Sequence, residues 1–206
     1  MAKRLAFFAS KEDVENFYSL TTKKENLFEP HYNLSPGQHI VAITGDESKK
    51  EIGRVRWGDE AERKPVIPVD EVEGELKKKG VERCILPISG FFVWKDDLEK
   101  DHPFFVRMLN APLMSTGGLI YKGDDKNVKI ITTESNVLVQ PMSATMPLLL
   151  DRETSFLWMK KDSSPGEVIS KAKKLFLFTD LSVMRVSKKV NNPNNNDEKL
   201  IQPIPK

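Results

Sequence analysis

Between Cys84 and Thr132 the chain reads as a succession of short apolar segments: Cys84–Pro87, Phe91–Trp94, Phe104–Leu109, Leu119–Tyr121 and Val128–Thr132. Gly, Asp or Asn punctuates most of the gaps. Apolar runs of this length, bounded by turn formers, are strands, and strands following one another without intervening helices pair antiparallel. The pattern excludes an alternating β–α–β series and the parallel sheet it would build. Leu5–Ala9, His39–Ile43 and Ile52–Trp57 read as further strands, with a turn at Gly45-Asp46 between the last two. A final strand at Ser182–Ser187 precedes an Asn-rich loop, Asn191–Asn196.

Helices are fewer, and each carries a start or stop signal. Ser10 and Asp13 form a capping box ahead of a helix whose Val14, Phe17 and Tyr18 share one face. Asp70–Lys79 has acidic Asp70, Glu71 and Glu73 at its start, Lys77, Lys78 and Lys79 at its end, and Gly80 as a stop. Val69, Val72 and Leu76 give it an apolar stripe, and Glu73 is spaced to pair with Lys77. Two more helices are expected, at Glu153–Lys160 and from Pro165, a residue suited to the first helical position, to about Lys174. With no internal repeat and no linker-like stretch, residues 1–206 read as one α+β domain.

Composition removes several function classes. No apolar run approaches the length of a membrane-spanning helix, and the apolar stretch after Lys3-Arg4 is too short for a secretory signal. One cysteine, Cys84, excludes an internal disulfide framework and a cysteine-built zinc site, which fits a reducing cytoplasm. Lys and Arg (32) barely exceed Asp and Glu (30), so net charge does not point to nucleic acid. His31, His39 and His102 lack metal-ligand spacing and read as hydrogen-bonded or surface histidines. Gly117-Gly118 lacks the context of a phosphate-cradling loop. Cys84 lies in an apolar run and reads as a buried small hydrophobe, and Trp57 and Trp94 each end an apolar run and read first as core. No cofactor and no metal are expected.

Several segments together carry more information. His31-Tyr32-Asn33-Leu34-Ser35-Pro36, Arg56-Trp57-Gly58, Arg83-Cys84-Ile85-Leu86-Pro87, Gly90-Phe91-Phe92-Val93-Trp94, Thr132-Thr133-Glu134-Ser135-Asn136, Met146-Pro147 and the closing stretch from Val186 to Pro203 occur in this order. Taken in sequence they resemble the motifs of the SRAP (SOS response-associated peptidase) family, proteins that capture abasic sites in single-stranded DNA. The resemblance implies one α+β domain built on a bifurcated, partly barrel-shaped antiparallel sheet flanked by helices. It also implies a chemistry. An N-terminal Cys exposed by Met removal attacks the abasic-site aldehyde with its α-amine, whose pKa is about 8. Its thiolate then closes a thiazolidine, with a Glu and a His moving protons and an Asn positioning the sugar.

This chain departs from that pattern at each chemical position. Ala2 stands where the family has Cys, Val93 where it has Glu, and Ser143 where it has His. Thr145 stands at an Arg position, and Pro68 is the best match to the Asn. The expectation is a divergent member that has lost the covalent mechanism and binds single-stranded or abasic DNA. In it Arg4, Asn33, Arg56, Trp57 and Thr145 would lie on the DNA side, and Ala2 would retain an α-amine competent only for a reversible imine. For Arg4 and Trp57 a structural role weighs equally. Two alternatives stand beside it: an enzyme working through Ser143 or Thr145, for which no basic partner is visible, and a protein-interaction module on a retired enzyme fold. Oligomeric state is not legible in the sequence.

Overall fold

The computed structural model describes residues 4–46, 49–58, 64–95, 102–123, 126–175 and 181–204. In chain order its elements are β1 (Arg4–Phe7), α1 (Lys11–Tyr18), β2 (His31–Leu34), β3 (His39–Gly45), β4 (Lys50–Trp57) and β5 (Val66–Pro68). There follow α2 (Val72–Leu76), β6 (Val81–Ile88), β7 (Gly90–Lys95), β8 (His102–Met108), β9 (Met114–Tyr121) and β10 (Asn127–Glu134). The last are β11 (Thr145–Pro147), β12 (Leu149–Leu150), α3 (Arg152–Met159), α4 (Pro165–Leu175) and β13 (Leu181–Arg185).

The strands form two sheets. One runs β13-β8-β7-β1-β2 and is antiparallel throughout; the other runs β11-β10-β4-β3-β6-β9-β12, with β5 paired to β10. Because β10 also pairs with β9, strands β10, β4, β3, β6 and β9 close into a ring. The ring corrects the expectation of an all-antiparallel sheet: β10 runs parallel to β4 and to β5. Parity demands one such seam, since strands alternating in direction around a closed ring must be even in number. Two seams are short, Ile43 opposite Ile85 and Asn127-Val128 opposite Arg56-Trp57, so the ring is partly barrel-shaped and not a true barrel.

The main core lies between the sheets and includes Leu5, Phe91, Val93, Trp57, Cys84, Leu86, Val128, Ile130 and Trp158. Alternation along β1 and β7 sends Ala6 and Phe92 to the opposite face of the first sheet. There they join Phe105, Val186, Val190 and Leu200 in a second cluster covered by the C-terminal segment. Gly90 is required by this double burial: a Cβ at that position would lie 2.2 Å from the Phe105 ring and 2.7 Å from the Val106 carbonyl oxygen.

Local signals hold where side chains satisfy them. The Ser10–Asp13 capping box forms as the sequence predicts. Asp151 caps α3, accepting from the Thr154 amide at 2.8 Å. The other end of α3 is held by Arg83, whose guanidinium donates to the carbonyls of Lys160, Lys161 and Ser163 and lies over the Trp158 ring. The Trp158 indole N–H in turn donates to the Cys84 carbonyl at 3.0 Å. The helix expected over Asp70–Lys79 is shorter, a 3-10 turn at Val69–Glu71 followed by the single α-helical stretch of α2. Gly74 in its interior lowers helix propensity. The ion pair expected between Glu73 and Lys77 is replaced by one between Glu75 and Lys78 at 2.6 Å.

Asn33 joins the first sheet to the C-terminal segment. Its side-chain amide donates to the carbonyls of Val190 (3.1 Å), Asn192 (2.9 Å) and Asn195 (3.1 Å). Three carbonyls converging on one buried amide leave no apolar substitute. Asn33→Ala is expected to lower unfolding free energy by roughly 2–4 kcal/mol and to speed proteolysis within 188–196. Urea denaturation and limited proteolysis check both, and an unchanged midpoint would show that the segment is held by Val190 and Leu200 alone.

Candidate functional site

Pro68, Ser143 and Thr145, three of the residues that the resemblance singles out, converge at one end of β10. Thr132 stands in register between two prolines, Pro68 of the parallel strand β5 and Pro147 of the antiparallel strand β11. Its hydroxyl reaches the Ile67 carbonyl at 3.4 Å. Two residues on, Glu134 faces Thr145. The loop between β10 and β11 returns Ser143 to this end, where its hydroxyl donates to the Thr145 carbonyl at 2.7 Å. Pro68, Thr132, Ser143 and Thr145 are thus gathered by the pairing of three strands. Pro68 is exposed, Thr145 half-buried, and Thr132 and Ser143 buried, so the cluster opens at the β5 edge.

This end of β10 offers hydroxyls and backbone groups. The carboxylate beside it, Glu134, points to solvent. A serine hydroxyl becomes a nucleophile when a base takes its proton, and the Ser143 proton is directed at a backbone carbonyl. Among the described residues no group of three or more His, Cys, Asp and Glu side chains is arranged to hold a metal ion.

Val93 belongs to the other sheet. It is fully buried and packs in the core between the sheets with Leu5 and Phe91. A carboxylate there would be desolvated and its pKa driven upward. Arg4 opens β1 directly opposite Phe92, half-buried, and its burial lowers the guanidinium pKa. Ala2 lies outside the described residues.

The remaining candidates take packing and hydrogen-bonding positions. Trp57 is 0% exposed, donates its indole N–H to the Pro65 carbonyl at 2.8 Å, and presents no free face to a base. Asn33 is 0% exposed and committed to the C-terminal segment. Arg56 is half-buried on β4, in register with His39 on one side and Asn127 on the other. Trp94 donates its N–H to Asn191 Oδ1 at 2.8 Å. The Cys84 thiol is fully buried, and desolvation pushes its pKa far up, which leaves it inert as a nucleophile. Of the histidines, His31 accepts from the Asn33 amide and burial lowers its pKa, while His102 pairs with Arg185 at 2.8 Å.

The Thr132–Asn136 stretch is a motif to whose members the resemblance gives no role. The structure supplies two. Thr132 is the junction of three strands, and Asn136 folds the next turn, its Oδ1 accepting from the amides of Leu138 (3.2 Å) and Val139 (3.1 Å). The second was open to detection, since Asn accepting from the backbone two residues on is a turn former. The first was not, because it depends on the partners of β10.

Comparison with known proteins agrees with this architecture. The chain is 27% identical over 222 aligned positions to the abasic site processing protein YoqW of Bacillus subtilis (strain 168), which covers 98% of this chain and 99% of the relative. It is 25% identical to the abasic site processing protein YoaM of the same organism, over 92% of this chain and 89% of that protein. A crystal structure of a Bacteroides thetaiotaomicron protein superposes with a TM-score of 0.78 at 17% identity, covering 98% of this chain and 99% of the other, which shows a shared fold. The profile of the SOS response associated peptidase (SRAP) family matches residues 75–193. With that match spanning over half of the sequence, from α2 to Pro193, the chain belongs to the SOS response associated peptidase family.

Proposed function

We propose that the protein binds single-stranded DNA at abasic sites and holds it without forming a thiazolidine. The reading is supported first by membership of a family whose curated relatives are named abasic site processing proteins. The observation that carries its second half is the pair of positions Val93 and Ser143. By the resemblance these stand where the family has a carboxylate and an imidazole; Val93 is a fully buried aliphatic side chain, and the Ser143 hydroxyl donates to the Thr145 carbonyl. Positioned acids and bases contribute roughly 10²–10⁴-fold to a proton transfer. A site with neither at these places keeps recognition and loses most of the rate of a covalent step. Ala2 has no thiol, so an imine formed there could not close to a ring and would stay hydrolysable.

Fluorescence anisotropy on labelled single strands with and without one abasic analogue tests the reading. Binding is expected with a dissociation constant on the order of micromolar at low salt, tighter for the abasic strand and weakening as salt rises. Absence of binding at low salt would instead favour a protein-interaction module. In denaturing gels with an aldehydic abasic strand, Ala2→Cys alone is expected not to give rapid, quantitative, heat-stable crosslinking; if it does, Val93 and Ser143 are not what limits the chemistry.

A further expectation concerns Val93. Val93→Glu is expected to destabilise the fold by about 3 kcal/mol at pH 7, the cost of a buried unpaired carboxylate. A glutamate with a raised folded-state pKa is neutral in both states below about pH 4. The loss should therefore be small there and grow as pH rises from the unfolded toward the folded pKa. Urea midpoints across that range check the sign, and a flat profile would mean that the introduced carboxyl escapes to solvent.

A further inference from the structure

Surface loops are ordinarily polar, yet the turn Val137-Leu138-Val139-Gln140-Pro141-Met142 carries apolar residues at every position except Gln140 and has no charge. Its conformation is fixed from both ends. Asn136 caps it with its side chain and accepts from the Gln140 amide with its carbonyl, at 2.9 Å. The amides of Met142 (2.9 Å) and Ser143 (3.0 Å) both donate to the Val139 carbonyl, and the Ser135 amide closes the stem on the Ala144 carbonyl at 3.0 Å. Val139 is 0% exposed and anchors the turn in the main core. On this rigid support Val137 is 61% and Leu138 41% exposed. Their exposure is therefore built into the turn and does not come from fraying. Adjacent exposed apolar side chains on a hydrogen-bonded support are a mark of a contact surface.

The turn is also placed. It is the connection that runs from Thr132–Glu134 of β10 to Ser143 and Thr145, so Val137 and Leu138 lie on the loop that leaves the candidate site and returns to it. Resting on the proposed binding of abasic DNA, we infer that Val137 and Leu138 form an apolar wedge that occupies the gap an abasic nucleotide leaves in the base stack. An abasic position keeps sugar and phosphates but exposes the faces of the two flanking bases, an apolar opening bounded by a charged backbone. Apolar side chains inserted at base steps are a general way for proteins to meet unstacked bases. A surface following the backbone would instead need Lys or Arg, and the turn has none. The wedge selects for the missing base because an intact strand fills the same space.

Val137→Ser/Leu138→Ser tests this on the full chain, Val137 being mostly and Leu138 partly in solvent, with a thermal melt of the variant checking that the fold is kept. Anisotropy would be measured with one oligonucleotide sequence, intact and with a single tetrahydrofuran abasic analogue, over a range of NaCl concentrations. The double variant is expected to bind the abasic strand about tenfold more weakly, the scale of loss for two partly buried aliphatic side chains. Its affinity for the intact strand should be unchanged, and so should the slope of log K against log salt, because no phosphate contact is removed. Wild-type discrimination retained in the variant would overturn the wedge while leaving the DNA-binding reading intact. So would a shallower salt slope, which marks a backbone contact. So would a wild type that self-associates in sedimentation velocity where the variant does not, with DNA binding equal in both, since the occupant is then a second copy. Wild-type protein that binds neither strand defeats the DNA-binding reading and the wedge with it.

Discussion

Strand β10 is the member on which the architecture depends. It pairs with β9, β4, β5 and β11, two of them parallel and two antiparallel. Each pairing satisfies backbone donors and acceptors that burial would otherwise leave costly. The β9 and β4 pairings close the ring; those with β5 and β11 set Pro68, Ser143 and Thr145 around Thr132. The ring and the candidate site are consequences of one strand having neighbours on both edges at successive points along its length. β10 can serve this way because its even-numbered side chains, Val128 and Ile130, and its odd-numbered Ile131 are all buried.

The family motifs retained in this chain are explained by what their side chains do in the fold. Arg83 and Cys84 fasten α3 through a guanidinium on three carbonyls and a carbonyl on Trp158. Gly90 admits Phe105 and the Val106 carbonyl where any Cβ would collide. Asn33 gathers the C-terminal segment, Trp57 closes on Pro65, and Asn136 folds the turn beyond β10. These are buried polar or close-packed positions, where loss of one partner costs the desolvation of the other.

The largest titration shifts among the described residues come from burial. The strongly displaced titrations belong to Tyr18 and Cys84, both fully buried and both held in their neutral forms by desolvation. Tyr18 shares its hydroxyl with Ser115 in the core.

What the sequence by itself determined is local. Turn formers between short apolar runs are enough to place β6 to β10, and Ser10 with Asp13 is enough to place the start of α1, because strands and caps answer to side chains a few residues apart. It also carries the residues on which the family resemblance bears, since identity at Ala2, Val93, Ser143 and Thr145 needs no coordinates. Tertiary structure decided the rest. Short strands without apolar alternation, β5, β11 and β12, exist because β9 and β10 offer them a paired edge. The end of the helix at Leu76 was settled by Gly74 and by Glu75 turning to Lys78 and Tyr121. Tertiary structure also gave Trp57 and Asn33 their buried partners, in place of the exposed faces a DNA contact needs, because each finds its hydrogen-bond acceptors outside its own strand. Which hydroxyls, prolines and apolar turn residues share one end of the sheet follows from strand register alone, and register is a property of pairs of segments that no single segment encodes.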